Sequence, residues 1–337
     1  MRQEATLEQW KELYDIAIEI KELKPWEHLW DMDIITLIMP GHEPVMCSIM
    51  GAEGQFYGIG AYIGYEAISN FFEMASEKSM PQDQMIRYHE DGIIMCYFGS
   101  REDLTSKELK LIKDLGLKFR GKNNWIFFHS MKRGYMPYIL DHEEIKLAIE
   151  IFKNLRMALR AYIEEGLEVD FDAGKTLMRI YDEEKGAWLS FEAPFPEPAP
   201  EYFKVNIMDK KLLKQLKEQE INDDVWELDI SFLKSHITDK QYERPVAMKM
   251  CILADEDTGA VLDYTLLKPE DNYAQILLDT FIDAILKFGR PYKLLTRDKF
   301  HFFLLGNLCG DLGVDIEIGG YLDAIDSFLV EFERFNY

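Results

Sequence analysis

Apolar residues recur along this chain with two periods, and the switches between them mark out its elements. Trp10, Leu13, Ala17 and Ile20 fall at helical spacing behind Thr6 and Gln9, which stand where a capping box needs them. A helix is therefore predicted over 7–23, ending before Pro25. Ile34–Met39, Val45–Met50 and Gln55–Ile63 read as strands, because the turn formers Pro40-Gly41 and Gly51-Ala52-Glu53-Gly54 separate them. Tyr65–Glu77 and Thr105–Leu115 read as helices, Gly92–Phe98 and Trp125–His129 as strands. Asp141 with Glu144 caps a long helix whose one face carries Ile145, Ile149, Phe152, Leu155, Leu159 and Tyr162, and which stops near Gly166. Residues 1–166 thus form an N-terminal α+β module.

Strand signals then crowd together. Thr176–Tyr181, Ala187–Phe191, Tyr202–Ile207 and Val225–Ile230 read as strands around one short helix at Lys210–Gln219, which makes 167–240 a β-rich middle section. The run Pro194-Phe195-Pro196-Glu197-Pro198-Ala199-Pro200 must be extended, since each proline fixes φ and turns its predecessor away from helix. It reads as a short linker, with an edge-strand crossover as the other option. Ser235–Pro245 is polar and reads as a second joint. Over 241–337 strands and helices alternate. A hairpin at Asp257-Thr258-Gly259 joins Met248–Ala254 to Ala260–Leu267. Helix Asn272–Phe288, strand Lys293–Thr296, helix Lys299–Cys309, strand Val314–Ile318 and helix Tyr321–Phe335 follow. Such alternation implies parallel crossovers and helices packed on a mixed sheet.

Composition narrows the function classes. A chain of 337 residues holds two or three domains, and 47% hydrophobic residues with 13% aromatics are ample for packed cores. The formal net charge of −23 repels nucleic-acid phosphates and anionic lipid, and no basic stripe interrupts it. Nucleic acid and membrane are thereby disfavoured as partners, and a protein partner is expected. Cys47, Cys96, Cys251 and Cys309 form no C-x-x-C pair, so zinc ribbons and redox dithiols are set aside, and buried free thiols fit a reducing cytoplasm. The chain starts without an apolar leader segment, and no run approaches the roughly 18 apolar residues of a membrane span.

One constellation could carry chemistry. The apolar run Met248–Ala254 stops on Asp255, and Tyr292–Arg297 stops on Asp298. Carboxylates at strand ends are hard ligands that Mg²⁺ or Mn²⁺ prefers, and a two-metal site stabilises both oxygens of a phosphodiester displacement. Asp255 and Asp298 are accordingly the candidate metal ligands. A third carboxylate would come from the last helix, where Glu331 and Glu333 both border the apolar face. Each position also has a plainer reading: Asp255 opens a tight turn, Asp298 caps a helix, and Glu331 and Glu333 solvate one. Gly58, Gly60 and Gly64 alternate along a strand instead of lying in a turn, so they favour close packing over dinucleotide binding. The seven histidines are dispersed; His301, three residues beyond Asp298, could adjoin an acid cluster, although a partly buried helix histidine is commoner. Trp10, Tyr14, Trp26 and Trp30 read as core, and any part left exposed would be a docking patch.

The C-terminal layout, a strand to Asp255, a hairpin, a helix, "GRPYKLLTRD" to Asp298, a helix, "LGVDIEI" and a final helix, resembles the ribonuclease-H-like catalytic core of integrases and transposases. The resemblance implies a hairpin strand bearing the first Asp and a Gly-x-Pro-led strand ending on the second. This chain departs from it: the third antiparallel strand is missing or very short, no Asn-Gly precedes the candidate Glu, and only Arg334 supplies a nearby cation. The N-terminal "WKELYDIAIEIKELKPWEHLWDMDIITL" and "SIMGAEGQFYGIGAYIGYE" resemble bacterial proteins of unassigned function that join such a module to a C-terminal "D-x-x-TG-x-V" module. That likeness implies no activity or cofactor. The expected fold is α+β multidomain: an N-terminal α+β module, a β-rich middle section and, over 241–337, an α/β ribonuclease-H-like mixed sheet that has lost catalysis. The expected role is protein binding or scaffolding without a cofactor. The alternative is a phosphodiesterase using Mg²⁺ or Mn²⁺ with Asp255, Asp298 and Glu331 or Glu333.

Overall fold

The computed structural model describes residues 2–76, 84–196 and 204–335. The chain divides into two compact units and passes between them repeatedly. The first holds Met1–Phe72, His89–Lys132 and Pro137–Ala199; the second holds Glu73–Tyr88, Arg133–Met136 and Pro200–Tyr337.

In the first unit, α1 (Leu7–Glu22) begins as its capping box dictates: the Thr6 hydroxyl accepts from the Gln9 amide, and the Gln9 side chain accepts from the Thr6 amide. After it come β1 (Ile35–Ile38), β2 (Val45–Met50), β3 (Gly58–Ile63), α2 (Gly64–Ser76), β4 (Ile93–Gly99), α3 (Ser106–Asp114), β5 (Trp125–Met131), α4 (His142–Ile163), β6 (Lys175–Asp182) and β7 (Ala187–Pro194). The strands form one sheet in the order β5-β4-β3-β2-β1-β6-β7, with β1 and β6 parallel and the other neighbours antiparallel. Leu13, Ala17 and Ile20 of α1 and Ile145, Phe152 and Leu155 of α4 share a single core with Ile35, Cys47 and Phe128 of the sheet. A Cβ on Gly60 would meet the Tyr62 ring at 2.9 Å, and one on Gly58 the Cys96 carbonyl oxygen at 3.1 Å. Close packing within the sheet is what these glycines serve.

The second unit contains α5 (Lys210–Lys217), β8 (Val225–Ile237), β9 (Val246–Asp255), β10 (Val261–Leu267), α6 (Tyr273–Phe288), β11 (Lys293–Thr296), α7 (Lys299–Leu312), β12 (Asp315–Ile318) and α8 (Asp323–Phe335). Its sheet runs β10-β9-β8-β11-β12: β8, β9 and β10 are antiparallel, and β11 and β12 continue parallel to β8. Trp226, Leu228 and Ile230 of β8 pack with α6 and α7, while Leu322 and, from α8, Ile325 and Leu329 pack against the other face. This is a ribonuclease-H-like mixed sheet. The third antiparallel strand is therefore present, because the sheet opens with β8 and not with β9.

Residues 167–240 form no sheet of their own. Strand β6 pairs with β1, carrying β7 with it, and β8 lies at the centre of the second sheet. Residues 204–207 are not strand, and the rest of the predicted strand Tyr202–Ile207 lies outside the described residues, as do residues 197–200 of the proline run. Strand β8 reaches Ile237, so it enters the predicted joint at Ser235–Pro245. All four cysteines are free and buried. Among the described residues no helix is long and apolar enough to cross a membrane.

Candidate functional site

The polar residues of β8 alternate with its apolar ones, so Glu227, Asp229 and Ser231 share one face of the central strand. All three are buried, and Asp229 is fully so. Beside β8 runs β11, parallel to it, with Thr296 opposite Leu228. The chain leaving β11 therefore brings Arg297 and Asp298 alongside Asp229. Asp298 caps α7: its Oδ1 accepts the His301 amide at 2.9 Å, which fixes the first turn of the helix and turns the His301 ring inward.

Between the two carboxylates lies a guanidinium group. Arg87 Nη1 is 3.1 Å from Asp229 Oδ1 and 2.6 Å from Asp298 Oδ2, and Arg87 Nη2 donates to Asp229 Oδ2 at 3.1 Å. Arg87 also donates to the carbonyl oxygens of Ile230 and Gln84 and to the Gln84 side chain, at 2.9, 3.2 and 3.3 Å. A second arginine, Arg297, donates through Nε to Asp229 Oδ2 at 2.9 Å and reaches Asp326 of α8 at 2.5 Å. Ser231 gives Asp229 a further hydrogen bond at 2.5 Å. Three carboxylates and two guanidinium groups thus form one network, Asp326–Arg297–Asp229–Arg87–Asp298, buried at Asp229 and Arg297 and partly exposed at Asp326.

The charges hold one another in place. Burial pushes the Asp229 carboxyl up, but Arg87, Arg297 and His301 outweigh it and keep it far below the ordinary carboxylate range. Burial acts on Asp298 in the same way, and His301 and Arg87 again bring it down. Desolvation disfavours the Arg87 charge, yet the two carboxylates reinforce it overall.

His301 is the remaining member. Only 3% exposed, it carries its Nδ1 without a hydrogen-bond partner, 3.5 Å from both Asp229 Oδ1 and Asp298 Oδ1. Asp229, Asp298 and His301 offer three potential ligand atoms within 4.8 Å of one another. Two carboxylates and an imidazole suit a divalent ion chemically. The Arg87 guanidinium nevertheless occupies the position shared by both carboxylates, and Arg297 takes up the second oxygen of Asp229. The residues as arranged do not fit a metal ion.

Of the carboxylates expected from sequence, Asp298 alone reaches this site. Asp255 is at the wrong end of the sheet. Strand β9 runs antiparallel to β8 and β11 parallel to it, so their carboxyl ends point in opposite directions, with β8 between them. Asp255 lies opposite Trp226 and locks its own turn, accepting from the Thr258 amide at 2.9 Å and the Thr258 hydroxyl at 2.5 Å. Glu333 accepts the Lys234 amide at 3.0 Å, about 16 Å along β8 from Asp229 at the usual strand rise. Glu331 is exposed to solvent. From α8 it is Asp326 that joins the network. The residues missed by sequence reasoning are Asp229, Arg87, Arg297 and Asp326. A signal for Asp229 existed in the alternation Trp226-Glu227-Leu228-Asp229-Ile230, whereas Arg87 lies 211 residues before Asp298 and gave none.

Residues 10–179 match a family model described as a domain of unknown function (DUF7309), and residues 212–333 match another so described (DUF6930). No curated protein matches the chain. Among solved structures, the HTLV-2 integrase catalytic core domain in complex with magnesium (trimeric form) is similar at 20% identity and TM-score 0.23, covering 35% of this chain and 68% of that one. The catalytic core domain of BIV integrase is similar at 13% identity and TM-score 0.24, covering 34% of this chain and 66% of that one.

Proposed function

Because the chain belongs to the family of the domain of unknown function DUF7309, we propose its role from its own geometry: a non-catalytic protein-binding or scaffold protein whose ribonuclease-H-like unit does not hydrolyse phosphodiesters. The observation that carries this reading is the Arg87 guanidinium seated on both Asp229 and Asp298, at 3.1 and 2.6 Å. A guanidinium whose donors are taken by Asp229, Asp298 and the Ile230 carbonyl has no open position from which to polarise a phosphate or acidify water, as a metal ion does. The net charge of −23 also disfavours a polyanionic substrate. For a protein partner, the support is Trp30, 60% exposed, with Met32 nearby in sequence at 48%, while Trp10 and Tyr14 of the same aromatic group are buried. Four buried free thiols favour a reducing compartment, as in a bacterial cytoplasm.

The alternative, a divalent-metal phosphodiesterase, has one observation in its favour: the clustering of Asp229, Asp298 and His301 within 4.8 Å. Titration of the unmodified chain with Mg²⁺, Mn²⁺ and Co²⁺, followed by melting temperature, separates the two. A site filled to 100 times its Kd stabilises the native state by about 2.7 kcal/mol. No saturable shift at millimolar metal is expected. A shift that Asp298→Asn abolishes would end the non-catalytic reading.

A further inference from the structure

We propose that the cleft between the C-terminal end of α4 and strands β6 and β7 binds a small organic monocarboxylate with an apolar body, and that Arg179 is the group that holds its carboxylate. The site lies wholly in the first unit and is independent of the reading of the second.

The register of the sheet builds it. Strand β6 pairs antiparallel with the edge strand β7, and Arg179 lies directly opposite Ser190. Side chains two apart on a strand share a face, so Trp188 is the diagonal neighbour of Arg179 on the same side. Leu177, two residues before Arg179, joins the core with α4, so this is the face that α4 covers. Met157 and Ala161 of α4, with Leu167 beyond it, line the facing wall of a cleft of about 390 Å³. That is room for a small molecule.

Arg179 is 9% exposed and paired with no acid. Its Nε donates to Asn154 Oδ1 and its Nη1 to Ser190 Oγ, both at 3.0 Å, and its guanidinium carbon lies 5.2 Å from the centre of the Trp188 ring. Its remaining N–H groups make no hydrogen bond among the described residues, and no carboxylate among them comes within ion-pair reach. Desolvation lowers the pKa of the guanidinium, with no nearby carboxylate raising it again. Buried charges are ordinarily paired, because an unanswered one is costly. The rest of the chain obeys this rule. Arg156 and Arg160 on α4, both more exposed, each hold a glutamate, and Arg87 and Arg297 each meet two carboxylates. In a chain with 61 acidic residues, an arginine buried without one is a place kept for an anion from outside.

The walls choose the anion. The Trp188 ring and Leu167 offer flat and aliphatic surface to an apolar body. Glu165 also lines the cleft, and together with the net charge of −23 it disfavours phosphate and other multiply charged anions. A carboxylate matches the guanidinium fork in shape, and its single charge is what one guanidinium neutralises.

The test uses the full chain labelled with ¹⁵N at tryptophan alone. Its six indole N–H signals include that of Trp188, identified by its loss in Trp188→Phe. Phenylacetate, indole-3-acetate and hexanoate are each titrated to about 10 mM. Phenylacetate should move the Trp188 signal saturably and leave the other five in place. Phenylacetamide has the shape without the charge and inorganic phosphate the charge without the body, so each should bind at least about tenfold more weakly. Arg179→Gln removes the charge, keeps a donor, and should weaken phenylacetate by at least about tenfold. Ala161→Leu fills the cleft without touching Arg179 and should weaken it by at least about fivefold.

No saturable movement with any of the three acids overturns the proposal. Equal binding of phenylacetamide or phosphate overturns the assigned class of ligand. Binding that survives both substitutions places the ligand elsewhere and overturns the site. If Arg179→Gln fails to fold, as collapse of the other indole signals would show, Ala161→Leu decides: weakened binding supports the site, and unweakened binding overturns it.

Discussion

Asp229→Asn keeps the shape of the side chain and removes its charge. The carboxylate is fully buried and meets Arg87 at two 3.1 Å contacts and Arg297 at 2.9 Å. Charge centres in such contacts lie roughly 4 Å apart, and each pair is worth about 4 kcal/mol at an effective dielectric constant near 20. Two arginines give about 8 kcal/mol of gross attraction. Repulsion between the guanidinium groups and the desolvation of Asp229 offset part of this. The net loss should be about 3–5 kcal/mol, as when one partner of a buried pair is removed. Two units need not unfold together, so a single melting curve is a poor probe; hydrogen exchange read at the amides of β8 and β11 reports the second unit alone. Exchange there should accelerate by roughly two to four orders of magnitude, the equivalent of that free energy. Combining Asp229→Asn with Arg297→Met should cost less than the sum of the two single changes, because the second removes a charge the first has stranded. An acceleration under about fivefold, the worth of an exposed pair, would refute the reasoning, since it would mean that water already screens these charges.

Two buried carboxylates elsewhere should respond to pH with opposite signs. Burial pushes Glu108 up, but hydrogen bonds from His129 at 2.8 Å and from Thr105 outweigh it, so this group titrates below its ordinary value. A depressed carboxyl stabilises the fold above its unfolded pKa, about 4.3, and that contribution is lost as pH falls through the folded value. Glu108→Gln should therefore lower the melting temperature at pH 7, with the difference closing below about pH 4. Burial raises Glu227, and the amides of Ile325 and Ala324 do not cancel the effect. Its stabilising contribution is present below the unfolded pKa and lost as pH rises through the folded one, so Glu227→Gln should raise the melting temperature at pH 7 and not at pH 4; reversed signs would contradict the burial argument. Asp255→Ala should cost about 1 kcal/mol in equilibrium denaturation by releasing Thr258.

Local signals in the sequence were read well where the physics is local. The Thr6–Gln9 and Asp141–Glu144 boxes start α1 and α4 where the cap rule puts them, and the Asp257-Thr258-Gly259 turn joins β9 to β10. The mixed sheet was legible from its alternating periods. Its first strand was read at Val225–Ile230 but assigned to the middle section. A polar face on a strand reads as solvent-facing, and only placement at the centre of a sheet turns Glu227, Asp229 and Ser231 inward. Asp298 was legible as an N-cap, and it does cap α7 with one oxygen; that its other oxygen meets Arg87 was not. Arg87 was beyond reach: its partners Asp229 and Asp298 lie 142 and 211 residues away, and no period connects them. Asp255 misled because an acid ending an apolar strand looks alike whichever way that strand runs.

The threading of the chain has a practical side. Since Glu73–Tyr88 belongs with Pro200–Tyr337, no single cut releases either unit whole. A fragment beginning near residue 200 would keep Asp229 and Asp298 and discard the guanidinium that answers them. Asp229 would keep Arg297 at 2.9 Å, but Asp298 would be left without Arg87 beside a like charge, a conflict relieved by taking up a proton. Shortening the gene would thus change the chemistry under study: at its centre the whole chain is a salt, and the fragment would be an acid.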